Sequence, residues 1–278
     1  MRPGAALTTL VVTALATYPA LVVGWCVTGL LGADPAAREL GRGGHPGAVA
    51  AVVLVLVGTV AVGNAVWTAL RTLRQTRRFR RWVDGVRVGV AGPVAAVARE
   101  LGVPGRVKMV ALDEPLAVTA GLLRPYIVVS TGLLRALSAA ELHAVLAHEQ
   151  VHARRRDPLR LLLGQVLAAH LWFLPIARDV YSRARLSYEL AADRQATYRY
   201  GRAALAGALL RVVSAPAFGV PFADAELLEA RVAQLESGRP PRPAPVPSRR
   251  SVLTLVAAMG FLVMIVSAWL FMVLVCPC

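Results

Sequence analysis

Three long uncharged runs constrain this chain more than any other feature. Leu7 to Leu31, Ala48 to Leu70 and Val252 to Val275 contain no Asp, Glu, Lys or Arg, and Asn64 is the one interruption in the second. A helix needs about 20 apolar residues to cross the hydrocarbon core of a bilayer, and each run is long enough. The composition agrees: 56% of the residues are hydrophobic and the mean hydropathy is +0.57, above a typical soluble domain. The first run is too long for a signal-peptide core, and no small-residue cleavage site precedes a soluble domain. The second follows after a short loop, so the two are read as a membrane hairpin.

Arginine sets the expected orientation. The net charge is +15, and Lys108 is the only lysine. Arg71, Arg74, Arg77, Arg78, Arg80 and Arg81 follow the second run, and Arg249 and Arg250 precede the last. In the first loop, Asp34 and Glu39 balance Arg38 and Arg42. The positive-inside rule then places the middle of the chain in the cytoplasm of a bacterial cell, with the N-terminus inside and the C-terminus outside. The same distribution, beside apolar segments, argues for a lipid bilayer as partner and against direct nucleic-acid binding, for which no recognition motif is visible. Cys26, Cys276 and Cys278 have no spacing of a zinc ribbon or a disulfide framework.

The expected fold is a mostly α membrane protein with a cytoplasmic α+β domain carrying a small sheet. Residues 1–70 form the N-terminal transmembrane hairpin and 71–236 the cytoplasmic domain. Residues 237–250, rich in proline, form a tether, and 251–278 hold the C-terminal transmembrane helix. Within the domain, Asp84 to Leu101 reads as a helix closed by Gly102 and Pro104. Arg106 to Leu112 and Tyr126 to Ser130 read as strands, the second expected at a sheet edge along a cleft. Ser138 with Glu141 three residues later makes a capping box for the next helix. A further helix is expected from Ala177 to Leu210. Between them, Leu161 to Ala177 is an apolar stretch of marginal spanning length holding Gln165, His170 and Pro175.

The capped helix carries His148-Glu149-Gln150-Val151-His152. Residues four apart share a helix face, so both histidines can hold one metal ion. Glu149 sits beside them, placed to take a proton from a metal-activated water. His143 lies off that face and reads as a packing residue. A catalytic zinc needs a third protein ligand and one open position. Glu189 supplies the ligand, and Asp193, one turn on, can accept a hydrogen bond from a ligand histidine. Asp157 is too close in sequence to be the third ligand, and His170 is the weaker alternative. Tyr188, Arg194 and Tyr198 are candidates to stabilise an oxyanion, and spacing does not choose among them. The Arg154–Arg156 run suits either an acidic substrate or a lipid-facing surface.

The stretches "LSAAELHAVLAHEQVHARRRDPL", "HLWFLP" and "ELAADRQA" resemble the BlaR/MecR-type membrane metallopeptidases, the antirepressor family. They are also similar to the HtpX and CAAX-prenyl-protease family. Both are gluzincins with HExxH and a downstream glutamate in an ExxxD setting. The resemblance covers about residues 110 to 200. It implies one Zn²⁺ held by His148, His152 and Glu189, with Glu149 as general base and Asp193 behind the ligands. It also implies a protein substrate. Antirepressor likeness suggests a transcriptional repressor, and HtpX likeness suggests a damaged membrane protein. The sequence ends at Cys278, so the penicillin-binding sensor of antirepressors is not expected to follow. The rival reading is a receptor or scaffold keeping zinc for structure, which the presence of Glu149 disfavours.

Because His148 and Glu189 must meet, Leu161 to Ala177 cannot be a single crossing. It is expected to be re-entrant, interfacial or buried in the protein, with Gln165 and His170 facing protein. The oligomeric state is not encoded in any recognisable motif.

Overall fold

The computed structural model describes residues 46–213, 225–239, 241, 252–257, 259 and 260. The expected span Leu7–Leu31, most of Val252–Val275 and most of the Pro-rich tether lie outside them. Among the described residues the first element is helix α1, Pro46–Gly85. It contains the second expected span and runs on without a break through the arginines. Leu56, Val60, Val62, Val66, Trp67 and Leu70 are all exposed. By length and composition this helix can cross a bilayer. Residues 252–257 are also helical.

The described residues fall into two compact units. One includes 46–66, 169–176, 252–257, 259 and 260; the other includes 67–168, 177–213, 225–239 and 241. The second contains a four-stranded mixed sheet and every residue of the candidate site. Its elements run β1 (Arg87–Val88), α2 (Gly92–Glu100), β2 (Val107–Val110), β3 (Ala117–Ala120), β4 (Tyr126–Ser130), α3 (Thr131–Ala136) and α4 (Ala139–Arg155). Then come α5 (Asp157–His170), α6 (Pro175–Tyr200), α7 (Arg202–Val213) and α8 (Ala225–Ser237).

The sheet order is β1-β2-β4-β3, with β2 and β4 parallel and both outer pairs antiparallel. This corrects the expectation for Tyr126–Ser130. That strand is central, as its buried Ile127, Val128 and Val129 require. The edges are β1 and β3, and β3, beside β4, is a short polar-apolar mixture too weak to read as a strand. The expected helix Asp84–Leu101 is also corrected. Gly85, Gly89 and Gly92 interrupt it, β1 intervenes, and α2 starts where Pro93 fits the first turn. Gly102 ends α2 at φ 69°, a left-handed position that favours glycine. Likewise Ala177–Leu210 is two helices, α6 and α7, divided by Gly201 at φ 86°.

Helix α4 is the centre of the core. From Leu142 to Ala153 all but His143 are buried. The capping box is present: Ser138 N–H donates to Glu141 Oε2 at 2.8 Å, and Glu141 N–H donates to Ser138 Oγ. Helix α7 lies close against α4 because Gly207 has no side chain; a Cβ there would meet Glu141 Oε1 at 2.3 Å. Arg211 of α7 pairs with the same carboxylate. Burial would raise the Glu141 carboxyl, but the Ser138 backbone N–H acts more strongly, and with Arg211 it holds the pKa below the usual glutamate value.

The apolar stretch Leu161–Ala177 is broken. Helix α5 ends at His170, Leu171–Leu174 form a turn, and α6 begins at Pro175. At 1.5 Å per residue, the 14 residues of α5 reach about 21 Å, short of the roughly 30 Å hydrocarbon core. Leu162 is buried, whereas Leu163 and Leu167 are exposed.

Candidate active site

The site is assembled from α4 and α6, with supporting side chains from β3, α5 and α8. One turn of α4 separates His148 from His152, and their Nε2 atoms stand 3.0 Å apart. Helix α6 brings Glu189 to both: Oε2 is 3.5 Å from His148 Nε2 and Oε1 is 3.6 Å from His152 Nε2. These three residues form the group able to hold a metal ion among the described residues, and it does not include His170. His143 instead contacts Ala139 O and Glu100 Oε2, as a packing residue.

The opposite ring nitrogens face carboxylates. His148 Nδ1 lies 2.9 Å from Asp193 Oδ1. His152 Nδ1 lies 2.8 Å from Asp157 Oδ2. Asp157 accepts the Nδ1 proton of His152 and so fixes that neutral ring with its Nε2 lone pair free, while Asp193 sits beside His148 Nδ1 at ion-pair distance without an aligned hydrogen bond. Two lone pairs 3.0 Å apart, facing a carboxylate, repel one another unless a cation lies among them. The donor set therefore fits a metal ion, and nitrogen and oxygen ligands of this kind suit zinc.

Without a metal, a proton must do the same work. Burial opposes a charge on His148, but Asp193 and Glu189 outweigh it and raise the imidazole pKa well above its ordinary value. Burial would raise Glu189 too, but His148 and Arg231 hold that carboxyl far below the usual range. For Asp193, burial is likewise opposed, and overcome, by His148 and Arg231.

Asp157 was set aside on spacing as a metal ligand, and the structure gives it a different place. Arg156 adopts a left-handed conformation, φ 55° and ψ 43°, and ends α4 there. The sharp turn returns Asp157 to His152, five residues back, in a position only 1% exposed. The signal available in the sequence was Asp-Pro directly after the histidine helix, a stop that puts a carboxylate at the start of the next helix.

Arg231 on α8 had no signal in the sequence at all. Its Nε and Nη2 donate to the two oxygens of Asp193, each at 2.8 Å, and Nη1 is 3.3 Å from Glu189 Oε2. Gln234, one turn on, donates to Leu190 O and ties α8 to α6. By contrast Tyr198 is 91% exposed and Arg194 is also exposed. Tyr188 faces Arg155, its ring centre 5.8 Å from the guanidinium. None of these three sequence candidates is held at the site; Arg231 is the cation placed there.

Glu149 is 9% exposed. Thr119 of the edge strand reaches it from the sheet, with Oγ1 2.7 Å from Oε2 and 2.9 Å from the Glu149 carbonyl oxygen. A hydroxyl has one proton, and the ionised carboxylate is the stronger acceptor.

A buried histidine pair, an adjacent glutamate, a third carboxylate from a later helix and a small mixed sheet define a metallopeptidase-type domain. The chain belongs to the BlaR1 peptidase M56 family, whose family model matches residues 44–235. It is also similar to proteins named "Protease HtpX homolog". The one from Pyrobaculum islandicum is 31% identical over 148 residues, 52% of this chain and 40% of that protein. The one from Acidiphilium cryptum is 34% identical over 127 residues, 44% of this chain and 43% of that protein. The chain thus spans about two fifths of the length of these curated relatives.

Proposed function

We propose that this chain is an integral-membrane zinc endopeptidase that cuts a cytoplasmic or membrane-adjacent protein. One observation carries the reading: two imidazole Nε2 atoms 3.0 Å apart, backed by Asp193 and Asp157 and faced by Glu189. In this reading His148, His152 and Glu189 are the ligands. Zinc supplies Lewis-acid chemistry when bound, acidifying a water and polarising the scissile carbonyl. The remaining work falls to the protein. Glu149 accepts the proton of the attacking water and passes it to the departing amine, and Thr119 steadies the carboxylate meanwhile. Asp157 keeps His152 in the ligating tautomer, and Asp193 lies beside His148 Nδ1. Arg231 neutralises the surplus negative charge of Asp193 and Glu189. The outer edge of β3 offers unpaired backbone groups to an extended substrate, beside Glu149.

Helix α1 crosses the membrane in this account, and the arginines from Arg71 to Arg81 hold its following end in the cytoplasm. A shared site for His148 and Glu189, 3.5 Å apart, supports both ends of the α5–α6 segment lying on that face in this account. The antirepressor-type role, regulatory cleavage of a repressor, is favoured by the family model over residues 44–235. Quality control of membrane proteins, which the HtpX resemblance implies, is the second reading, supported by the similarity to proteins named "Protease HtpX homolog".

The test is Glu149→Gln in the purified chain. Zinc is expected to remain and cleavage of a protein substrate to vanish. Cleavage at the wild-type rate would remove the proposed base. The same inactive variant, used in cells as a trap, separates a bound repressor from bound membrane proteins. A reporter fused at Gly201 should report the cytoplasm; an external signal would overturn the topology.

A further inference from the structure

A cavity of about 490 Å³ lies past the end of α4, outside the metal site. Four arginines line it: Arg106 before β2, Arg124 before β4, and Arg154 and Arg156 from the end of α4. No acidic residue is among its lining. Arg154 donates to the Leu101 carbonyl at 3.3 Å. Arg106, Arg124 and Arg156 have no carboxylate partner among the described residues. Nearby acids are engaged elsewhere: Asp157 is buried against His152, and its other oxygen is 3.6 Å from Arg160.

The four guanidinium groups are exposed at the mouth of the cavity, and together they make a positive surface that attracts an anion. Guanidinium forks match phosphate oxygens in geometry as well as charge. Arg156 adds an independent sign. It is the only non-glycine residue at positive φ among those described. Glycine would relieve that backbone, as it commonly does where a helix ends. A strained residue at such a place points to a task for its side chain.

We propose that this cavity binds the phosphate headgroup of an anionic phospholipid. Its volume suits a headgroup better than one small ion. Leu123, on the rim beside Arg124, is 70% exposed and gives the lipid's apolar part a partner. The chain also carries an apolar helix of bilayer length, so lipid is a constant neighbour if that helix inserts. The site adjoins the ligand helix directly, since Ala153 and Arg154, which line it, follow His152. Headgroup binding would therefore anchor the end of the helix that carries both histidines.

The experiment uses the full chain in an uncharged detergent and needs neither metal nor substrate, so it can fail while the peptidase reading stands. Dihexanoyl-phosphatidylglycerol, dihexanoyl-phosphatidylcholine, inorganic phosphate and a short glutamate-rich peptide are titrated separately, reading Tm and Kd. The glycerol lipid should raise Tm saturably and bind at least tenfold tighter than the choline lipid. Arg124→Gln and Arg156→Gly should each weaken it about tenfold, the scale of one charge-assisted contact. Arg156→Gly relaxes the helix end, so a folding defect does not account for its loss of binding. Unchanged lipid affinity in both variants, or equal affinity for the two lipids, would overturn the proposal. Inorganic phosphate binding as tightly would assign the cavity to a free anion instead. Tighter binding of the acidic peptide would assign it to substrate.

Discussion

Replacing Asp157 by Asn tests how the histidine pair is prepared for metal. Asp157 is 1% exposed, with Oδ2 2.8 Å from His152 Nδ1 and Oδ1 3.6 Å from Arg160 Nη1. Asparagine keeps the shape and can still serve at the start of α5. It removes the negative charge that faces His152 Nδ1. It also forces a choice. With its oxygen toward His152, its amide faces the Arg160 cation; turned around, it opposes the Nδ1 proton with another donor. Loss of such a partner costs about 10- to 100-fold in metal affinity, or roughly 1.4–2.7 kcal/mol. The assay is competition for zinc against a chromophoric chelator, with wild type and Arg160→Gln alongside. Arg160 is half exposed, so its variant should shift zinc affinity by under about threefold, as for a weak surface pair. Wild-type affinity in Asp157→Asn would refute the role given to this carboxylate. An equal loss in Arg160→Gln would transfer the effect to local charge.

Three further outcomes follow from the packing. Arg231→Met leaves Asp193, which has no exposure, without its cation; breaking a buried pair this way should cost about 3–5 kcal/mol, measured by chemical denaturation, and Arg231→Lys should recover part of it. Gly132→Ala would drive a Cβ to 1.9 Å from the Asp113 carbonyl oxygen; the backbone must move, and a loss of roughly 1–3 kcal/mol or more is expected in thermal unfolding. Glu141 has a folded pKa below its unfolded value of about 4.5. Its stabilisation is therefore present above that value and is lost as pH falls through the lower folded one. Glu141→Gln should flatten the acid side of the stability profile, and an unchanged slope would contradict the capping and Arg211 contacts.

The grouping of His148, His152 and Glu189 was legible because helical geometry is local. A four-residue spacing puts two histidines on one face in any sound helix, and Ser138 with Glu141 marked where that helix begins. Glu189 and Asp193 could be paired with it because acids are scarce in the chain and these two share a turn. Resemblance then added the chemistry. What escaped the reading depends on distant or strained geometry. Arg231 reaches the site from a helix nearly forty residues beyond Asp193, and an arginine in a chain holding so many carries no signal. Asp157 meets His152 only because Arg156 takes a left-handed turn. The edge strand was misplaced because Ala117–Ala120 lacks the apolar alternation of a half-buried strand, whereas the more strongly β-forming Tyr126–Ser130 belongs in the middle. Glycines at 85, 89, 92 and 201 divided two helices that periodicity alone would continue.

Metal content in the purified chain tests the central claim most directly. Elemental analysis of wild type and Glu189→Gln, in detergent and after zinc has been added back, should find about one zinc per chain in the first and little in the second. Equal zinc in both would contradict the His148-His152-Glu189 site. Zinc in neither would contradict a metallopeptidase function for this chain altogether.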